Sequence, residues 1–493
     1  MAVSSKTQSR LTVAGFIDAV EYGPYQLHCF VVCSGFIVAE SALLSMCASL
    51  MKVMGDSIGL ETDLGKESLI ACLFAGLGAG TLLSGGLADP FGRRLPMLLG
   101  YIGMVLSAIG LACLPSTRLE VHLLLFTLGA SAGSGIPISL ITLAEVCPTS
   151  WRGLNACAVG MSYSFGEIWS GLGLRFFLPY MDDGPWHGMM LWAAFPSMAM
   201  LIFGAASPIS RYDSPIWLAS KGQVGTLVQG LNLVADMNGR TDMKLASAGM
   251  LNIQGPDHPS HHKAYTCAES LTSLFSTTLS FRVAIMAIMF FAKDFAFYGM
   301  SVFWPITWRH LEMQSMLPAT ELCATASLGI PGVLVAMLVV SEFPRQYALS
   351  GMALSCGFAC LLLTRLEEKA SYAGLAGALL FKVCFPTWQM ITMLLPTEVF
   401  PTEVKGVAYS AIAFCGRVST IVAPLVIGES TSLFLKLSAG MGLTASLLVF
   451  LLPETKDKKQ DASQDQVNAD KSMLKGHVDS YSSCEPPSGM KSV

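Results

Sequence analysis

Charged residues are scarce in this sequence. Of its 493 residues, only 13% are Asp, Glu, Lys or Arg, whereas 53% are hydrophobic. A soluble domain of ordinary composition carries about 25% charged residues, which keep its surface in water. The shortage therefore argues against a soluble protein of this length. The formal net charge of −4 is also small and gives no indication of a nucleic-acid partner.

Residue patterns that hold metals, cofactors or covalent intermediates are missing as well. The 14 cysteines are scattered and form neither a C-x-x-C pair nor the Cys/His spacing of a zinc site. The sequence also shows no nucleophile–base set and no phosphate-binding loop. We therefore predict no cofactor, no metal and no enzymatic activity.

Long apolar runs make up most of the chain. A helix needs about 20 apolar residues to cross the hydrocarbon of a bilayer. Twelve runs reach about that length, six before a polar middle segment and six after it. They cover residues 29–50, 68–87, 95–114, 121–144, 156–178 and 186–206, then 281–304, 322–340, 347–364, 371–395, 407–427 and 430–452.

These runs predict an all-α membrane protein with twelve transmembrane helices in five successive parts. An even number of spans places both termini and the middle segment on one side of the membrane. Their Lys and Arg residues make that side the cytoplasm by the positive-inside rule. A short amphipathic helix is predicted near 221–236. The parts are a cytoplasmic N-terminus 1–28, an N-terminal six-helix bundle 29–206, a cytoplasmic central loop 207–280, a C-terminal six-helix bundle 281–452 and a disordered cytoplasmic tail 453–493.

A nine-residue phrase occurs near the same point of each group of six runs. EVCPTSWRG begins at Glu145, and EVFPTEVKG begins at Glu398, 253 positions later. GGLADPFGRR lies between the second and third runs, and its acid Asp89 is matched at the same offset by Glu342 in SEFPRQ. Two landmarks at one offset predict a duplicated six-helix unit, as in transporters whose halves rock around a midplane site.

Acids and cations in these loops are predicted to act as conformational switches. A charge-assisted bond that forms in one conformation and breaks in another biases a two-state equilibrium. The spacing lets Glu145 and Arg152, and likewise Glu398 and Lys405, flank a helix–loop–helix corner. Alternatively, these charges only anchor the loops at the lipid headgroups. The predicted switch residues are Asp89, Arg93, Arg94, Glu145, Arg152, Glu342, Arg345, Glu398 and Lys405.

The pattern resembles the major facilitator superfamily. GGLADPFGRR is similar to its G-x3-D-x2-G-R-R loop, with Gly85, Asp89, Gly92, Arg93 and Arg94 at the matching places. YDSPIWLASKG, LPTEVFPTEVKG and LPETK resemble segments of the sugar-porter and organic-ion-transporter branch, and FAFYG and CGRVSTIVAPLV are most like the synaptic vesicle 2-related proteins. The resemblance implies two six-helix pseudo-repeats, the major facilitator fold, and solute transport by alternating access.

Ionisable residues inside the apolar runs are candidates for the substrate site. Each costs about 2.5–3.5 kcal/mol on insertion scales, so such residues normally face a cavity. Arg175 lies two turns beyond Glu167 and is expected to extend towards the membrane interface. The candidates are Glu40, Glu167, Arg175, Lys293, Asp294, Lys382 and Arg417.

Glu40 and Asp294 are predicted proton-coupling groups. The resemblance implies this role for Glu40, because proton-coupled members have an acid at a similar place in the first helix. The alternative for Glu40 is a structural hydrogen bond. Lys293 and Asp294 are adjacent, so their side chains diverge by about 100° on a helix. One can then face the cavity while the other pairs with a neighbouring helix, and a mutual structural pair is the alternative.

The strongest candidate substrate site surrounds Lys382 in GALLFKVCFPTWQM. Pro386 frees the backbone carbonyl of residue 382 and kinks the helix. Arg417 places a second cation on the next run, and structural use of one of the two cations is the alternative. The predicted substrate-binding residues are Lys382, Gln389, Trp388, Arg417, Tyr298 and Glu167.

Two cations in the second group of runs, with acids that can carry protons, favour an organic anion cotransported with H⁺. A sugar is the first alternative and an organic cation the second. A non-transporting membrane receptor or scaffold with the same fold is the third. The predicted partners are a small organic solute, the lipid bilayer and protons, and the chain is expected to be a monomer. As a multi-pass protein, it would reside in the plasma membrane or an intracellular vesicle membrane.

Overall fold

The computed structural model describes residues 12–113, 117–182, 184–206, 211–245, 277–310, 317–365, 372–400 and 405–455. These residues form α-helices with short 3-10 turns between some of them. In chain order the helices are α1 (Val13–Val20), α2 (Pro24–Ser57), α3 (Asp63–Phe91), α4 (Arg94–Cys113), α5 (Arg118–Val146), α6 (Arg152–Phe177), α7 (Trp186–Ala206), α8 (Pro215–Ser220), α9 (Val224–Met237), α10 (Thr277–His310), α11 (Pro318–Ser327), α12 (Gly329–Glu342), α13 (Arg345–Leu363), α14 (Tyr372–Val399), α15 (Lys405–Glu429) and α16 (Thr431–Leu448).

The long helices give twelve crossings of a membrane, which confirms the predicted fold class. Among the described helices, 11 spans are long and apolar enough to cross, with α11 and α12 together forming one of them. The remaining crossing is α6, which has 26 residues. Its serines and glycines, with Glu167 and Arg175, make α6 less apolar than the others. This polarity is expected of a helix that lines an internal site.

Local sequence signals set several helix ends. α2 begins at Pro24. Proline is suited to the first position of a helix, because the N–H that it lacks would have no partner within the helix there. α5 begins with a capping box, in which Thr117 Oγ1 accepts from the Glu120 N–H at 3.3 Å and Glu120 accepts from the Thr117 N–H at 3.0 Å. α3 ends at Gly92, whose φ of 87° is readily adopted by glycine. Because these signals lie in polar flanks, the helices extend beyond the predicted apolar runs.

The long helices pack as two halves. The first half contains α2 to α7, and the second contains α10 to α16. The halves meet where α3 packs on α15 and where α6 packs on α11 and α12, with α2 against α10. We call the membrane face that carries α1, α8 and α9 the linker face, and the other the opposite face. α2 runs from the linker face to the opposite face, and the following crossings alternate.

Three short helices cover the linker face of the first half. The helix predicted near 221–236 is present as α9, whose Leu227 and Leu231 are buried. Asn238 follows α9 and ties it to the start of α2, because its Oδ1 accepts from the Tyr25 N–H at 3.1 Å and its Nδ2 donates to Gln26 Oε1 at 2.8 Å. The described part of the polar segment is therefore anchored to the first half. Predicted loop and tail residues 246–276 and 456–493 lie outside the described residues.

Small residues allow α3 and α5 to touch backbone to backbone. A Cβ atom added at Gly129 would lie 1.9 Å from the carbonyl oxygen of Leu73, and one at Gly76 would lie 2.0 Å from that of Phe126. Such distances are far below van der Waals contact, so both positions require glycine. This close approach is the membrane counterpart of tight core packing.

Gly129→Leu should therefore destabilise the protein by about 1–3 kcal/mol, the usual effect of overpacking a dense core. The melting temperature in detergent, followed by tryptophan fluorescence, measures the effect. Gly351→Leu is the matched control, because a Cβ atom at this glycine of α13 meets nothing within 4 Å. Equal melting temperatures for the two variants would contradict the proposed packing.

Candidate substrate site between the two halves

Lys382 and Glu167 form an ion pair that joins the two halves near the membrane centre. Lys382 Nζ on α14 donates to Glu167 Oε2 at 2.9 Å and to Oε1 at 3.2 Å on α6. Each side chain is 13% exposed, so the pair is largely withdrawn from solvent. The structure thus brings together two of the residues predicted to bind substrate, one from each half.

The backbone beside Lys382 is shaped by a proline and a glycine. Pro386 lies inside α14 and has no N–H to donate to the carbonyl oxygen of Lys382. Gly332 of α12 packs directly against that carbonyl, because a Cβ atom at Gly332 would lie 2.4 Å from the oxygen. The missing side chain therefore lets α12 approach the turn of α14 that lacks this hydrogen bond.

A small polar cavity adjoins the ion pair. Lys382 and Glu167 line it, together with Trp304 and several hydroxyl side chains. The space open to a water-sized sphere is about 10 Å³, which is room for about one water molecule. In this conformation the cavity is therefore too small for an organic solute. The hydroxyl side chains are those of Ser45, Ser49, Ser301 and Thr325.

Arg417 is the second buried cation of the interface. Its side chain lies mid-way along α15, and the residue is 9% exposed. Nη1 donates to the Tyr298 hydroxyl at 2.8 Å, and the guanidinium carbon lies 5.5 Å from the centroid of that ring. Gly78 of α3 leaves space for the arginine, because a Cβ atom there would lie 3.3 Å from Arg417 Cβ. The predicted residues Arg417 and Tyr298 are thus held together against the first half.

Glu40 faces this arginine from the first half. It lies at the middle of α2, is 2% exposed and is within electrostatic range of Arg417. Among the described residues, neither Glu40 Oε1 nor the hydroxyl of neighbouring Tyr163 has a hydrogen-bond partner. A buried carboxyl oxygen without a partner is costly, so it needs a proton, a water molecule or a ligand.

Lys293 and Asp294 pair with each other, which was the alternative to one of them facing the cavity. Lys293 Nζ contacts Asp294 Oδ1, and both side chains are buried. Lys293 Nζ also lies 5.0 Å from the ring centroid of Phe290. Asp294 packs on the backbone of α15, because a Cβ atom at Gly416 would lie 2.2 Å from Asp294 Oδ2. The arrangement favours a structural role for this pair, and proton coupling through Asp294 stays a prediction.

The other predicted residues around Lys382 lie outside the small cavity. Trp388 is fully buried and packs edge-on against Phe385, with ring centroids 5.5 Å apart. Gln389 is half-buried, and neither residue lines the cavity. Arg175 is exposed near the opposite end of α6, as expected. Roles for Trp388 and Gln389 in binding therefore stay predictions.

The loops on the linker face carry the same ionic arrangement in both halves. In the first half, Arg93 Nη2 lies 3.0 Å from Glu145 Oε1, and the Arg93 N–H donates to Asp213 Oδ1 at 2.8 Å. In the second half, Arg345 Nε lies 3.7 Å from Glu398 Oε2, and the Arg345 N–H donates to a glutamate carboxylate at 3.0 Å. That second acceptor is Glu454 Oε1. The duplication predicted from sequence is thus matched by duplicated contacts.

Some switch residues have partners other than those the spacing suggested. Glu145 pairs with Arg93, whereas Arg152 donates from Nε to the backbone carbonyl of Cys147 at 3.3 Å. Glu398 Oε2 accepts from the Thr455 hydroxyl at 2.5 Å. Arg94 and Glu342 are exposed, and the side chains of Asp89 and Lys405 lie outside the described ones.

The acids Asp213 and Glu454 were not selected from the sequence. Both lie in segments that carried the resemblance, YDSPIWLASKG and LPETK. Each follows the last crossing of its half and accepts N–H donors at the start of α4 or α13. A carboxylate at a helix start is favourable because of the helix dipole. The signal that could have identified both acids in the sequence is their equivalent position after the last crossing of each half.

Contacts between the halves close the opposite face. Arg309 Nη2 on α10 donates to the backbone carbonyl of Ser49 on α2 at 2.8 Å, and Arg309 Nε lies 3.9 Å from Asp182. Nearby, Glu67 of α3 packs on α15, because a Cβ atom at Gly428 would lie 2.7 Å from Glu67 Cγ. Described hydrogen bonds and ion pairs between the halves lie at the membrane centre and towards this face.

Comparison with known proteins agrees with this architecture. Residues 40–464 match the family described as Sugar (and other) transporter. The chain belongs to this family. Its members are transporters rather than enzymes, which confirms the prediction of no enzymatic activity and the resemblance to the sugar-porter and organic-ion-transporter branch. The narrower likeness to synaptic vesicle 2-related proteins stays a prediction.

Several curated transporters are similar in sequence to this chain. Organic anion transporter 3 of Rattus norvegicus is 25% identical over 382 residues, which cover 75% of this chain and 67% of the relative. Solute carrier family 22 member 13 of Homo sapiens is 24% identical over 406 residues, covering 80% and 68%. The alignments thus span about two thirds of the relatives' length.

Solved structures show the same fold. The xylose transporter XylE from E. coli, in a partially occluded inward open conformation, matches with a TM-score of 0.65 at 16% identity. That match covers 86% of this chain and 99% of the XylE chain. A crystal structure of the D-xylose-proton symporter also matches, with a TM-score of 0.65. At this identity the likeness establishes the fold and leaves the substrate open.

Removing one member of the Lys382–Glu167 pair should destabilise the protein more than removing both. Lys382→Gln leaves Glu167 as an uncompensated buried charge, which we expect to lower stability by about 1–3 kcal/mol. The loss is smaller than for a fully buried pair because both side chains are 13% exposed. The double variant Lys382→Gln with Glu167→Gln should recover most of the loss. Melting temperatures of single and double variants measure this coupling.

The exposed pair Lys52–Asp182 serves as the control, because its side chains are 43% and 53% exposed. Lys52→Gln should change stability by about 0–1 kcal/mol. Additive losses in the Lys382 and Glu167 variants would show that their contact contributes nothing to the fold.

Proposed function

We propose that the protein is a secondary active transporter that moves a small organic anion together with H⁺ by alternating access. The observation that carries the proposal is the placement of two cations, Lys382 and Arg417, on the second half at mid-membrane. Each faces an acid of the first half, Glu167 and Glu40 respectively. A solute that binds between the halves meets these four groups.

The charge balance of the interface suggests how a proton and an anion are coupled. Lys382 is paired with Glu167, and the neighbouring Lys293–Asp294 contact satisfies both of its members. Arg417 has Tyr298 as its hydrogen-bond partner, and Glu40 supplies negative charge nearby. When Glu40 takes up a proton, the positive charge of Arg417 loses this part of its compensation and keeps only that of Asp294. An organic carboxylate then replaces the lost charge, so the proton favours binding of the anion.

Alternating access follows from the contacts at the two faces. The contacts of Arg309 and Glu67 hold the opposite face shut in this conformation. At the linker face, Arg93–Glu145 and Arg345–Glu398 each lie within one half. We infer that the halves separate at the linker face in this state. A solute can shift the equilibrium only if it binds the two states with different affinity.

The relatives support this proposal in a general way. Organic anion transporter 3 carries its substrate class in its name, and the D-xylose-proton symporter carries both a sugar and a coupling ion in its title. Because both halves of the site come from one chain, we propose the monomer as the transporting unit. We also propose that the linker face, with both termini, is cytoplasmic.

A sugar is the second candidate substrate. The observation that favours it is the set of hydroxyl groups, from Ser45, Ser49, Ser301 and Thr325, around the small cavity. Hydroxyl groups can exchange hydrogen bonds with a neutral polyol without any net charge. An organic cation is less suited, because Glu167 and Asp294 are already paired with lysines.

Arg417→Gln should weaken binding of the transported anion by roughly 10- to 100-fold, since a hydrogen bond to a charged group contributes about 1.5–3 kcal/mol. A thermal-shift screen of organic anions, cations and sugars first identifies the ligand class. Uptake of the selected anion into proteoliposomes then gives its affinity for wild type and variant. Arg282→Gln, near the start of α10, is the control and should leave the affinity unchanged.

Unchanged anion affinity in Arg417→Gln would contradict a direct role of the guanidinium. A shift and uptake obtained only with sugars would favour the second candidate. If no solute of any class stabilises the protein or enters the proteoliposomes, the protein is better explained as a membrane receptor or scaffold.

Glu40→Gln should abolish anion accumulation driven by a pH gradient while leaving anion exchange intact. Glutamine keeps the size of the side chain but cannot release a proton, so the loaded carrier still changes conformation without carrying H⁺. Gradient-driven uptake and counterflow, measured on the same proteoliposomes, separate the two activities. Equal loss of both would point to a structural role for Glu40.

A further inference from the structure

A second cavity lies inside the first half, away from the interface between the halves. It is bounded by α2, α4, α5 and α7 at their linker-face ends and by the segment that follows α7. Its volume is about 140 Å³. The transport mechanism proposed above uses none of this space.

The inner wall of the cavity is apolar. Cys29, Val32 and Cys33 of α2 face Met97 of α4 and Met200 of α7 across it. Tyr101 also lines the wall, but its hydroxyl already donates to the carbonyl oxygen of Val32 at 2.8 Å. An apolar cavity of about 150 Å³ stays dry and binds compact hydrocarbons. The chemistry of the wall therefore fits a hydrocarbon chain.

The linker-face end of the same cavity is polar and carries a cation. Arg94 lines it, is exposed and has no ion pair with a described residue. Ser214 is 5% exposed, and its hydroxyl has no hydrogen-bond partner among the described residues. Asp213 also lies here, but the backbone N–H groups of Arg93 and Ser214 donate to its Oδ1 at 2.8 and 3.1 Å. This leaves a cation and a hydroxyl donor for an anionic group.

The cavity lies beside the lipid-facing surface of the first half. On α4, Leu95 and Leu99 are 43% and 52% exposed, and on α7, Ile202 is 64% exposed. Gly204 and Ala205 of α7 line the cavity one turn closer to the linker face. Exposed apolar side chains at this depth are covered by lipid tails. A lipid beside α4 and α7 therefore has an apolar cavity and a cation within the length of one molecule.

We propose that this cavity binds an anionic phospholipid of the surrounding bilayer. Because the volume of about 140 Å³ is smaller than a whole acyl chain, the part of one chain nearest the head group enters the space between α2, α4 and α7. The phosphate group contacts Arg94 and the Ser214 hydroxyl. Basic side chains at the membrane surface attract anionic lipids. Because the Arg93–Glu145 contact adjoins the cavity, a bound lipid also stabilises the linker-face end of the first half. This site is independent of the substrate.

Photo-crosslinking of the full-length protein in nanodiscs tests the site. The probe is phosphatidylglycerol with a diazirine on one acyl chain near the head group, and mass spectrometry identifies the labelled residues. We expect labels on the cavity-lining residues Cys29, Cys33, Met97, Tyr101 and Met200. Gly204→Leu should remove these labels, because its Cβ atom starts 3.6 Å from Val32 Cγ1 and its branches fill the cavity. Labels on outward-facing Leu99 should remain.

Arg94→Gln tests the head-group contact separately. It should lower labelling by the phosphatidylglycerol probe about fivefold, the factor expected for one cation at an anionic lipid surface. Labelling by the matching phosphatidylcholine probe should change little. Gly440→Leu and Arg282→Gln are the matched controls, since a Cβ atom at Gly440 meets nothing within 4 Å. Both controls should retain the wild-type pattern.

Any of the following results would overturn the proposal. The first is labelling confined to outward-facing side chains of α4 and α7. The second is labelling of the cavity walls that persists in Gly204→Leu. The third is equal labelling by the two probes in the wild type, or displacement by a free fatty acid but not by unlabelled phosphatidylglycerol.

Discussion

The cost of placing ionised side chains in hydrocarbon governs this structure. Every unpaired charge at mid-membrane would cost several kcal/mol, so such groups must pair, hydrate or face a cavity. The protein meets this constraint by turning Glu40, Glu167, Lys382 and Arg417 towards the interface between the halves. Lipid meets mainly apolar side chains, and the halves share their charges with one another. The interface is thereby the polar centre of the fold and, in the proposed function, the place where a solute binds.

A shared polar interface also makes two conformations possible. Backbone-to-backbone packing within the first half keeps α3 and α5 together as one unit. Contacts between the halves, by contrast, include ion pairs and hydrogen bonds that water or a solute can replace, as at Lys382–Glu167 and at Arg309, beside ring contacts such as Phe74–Tyr298. In the proposed mechanism, the halves rock as units while these contacts are exchanged. The duplicated loop contacts on the linker face brace each half separately.

Much of this organisation was predictable from the sequence, because it depends on local patterns. Apolar runs gave twelve crossings, and the phrase repeated at Glu145 and Glu398 predicted the duplicated loops. The partners in the ion pairs were harder to predict from the sequence. Lys382 and Glu167 are 215 positions apart, and their contact depends on how α6 meets α14. Likewise, spacing along the chain suggested Arg152 as the partner of Glu145, whereas tertiary packing brings Arg93 to it.

The central claim is that one proton on Glu40 and one anion at Arg417 favour each other's binding. Calorimetric titration of the anion in buffers of different ionisation enthalpy measures this linkage directly, because it reports the protons taken up on binding. The account predicts proton uptake on anion binding that approaches one proton per anion at a pH where Glu40 is ionised without the anion and protonated with it, and none in Glu40→Gln. Anion binding without proton uptake, or uptake that persists in the variant, would contradict it.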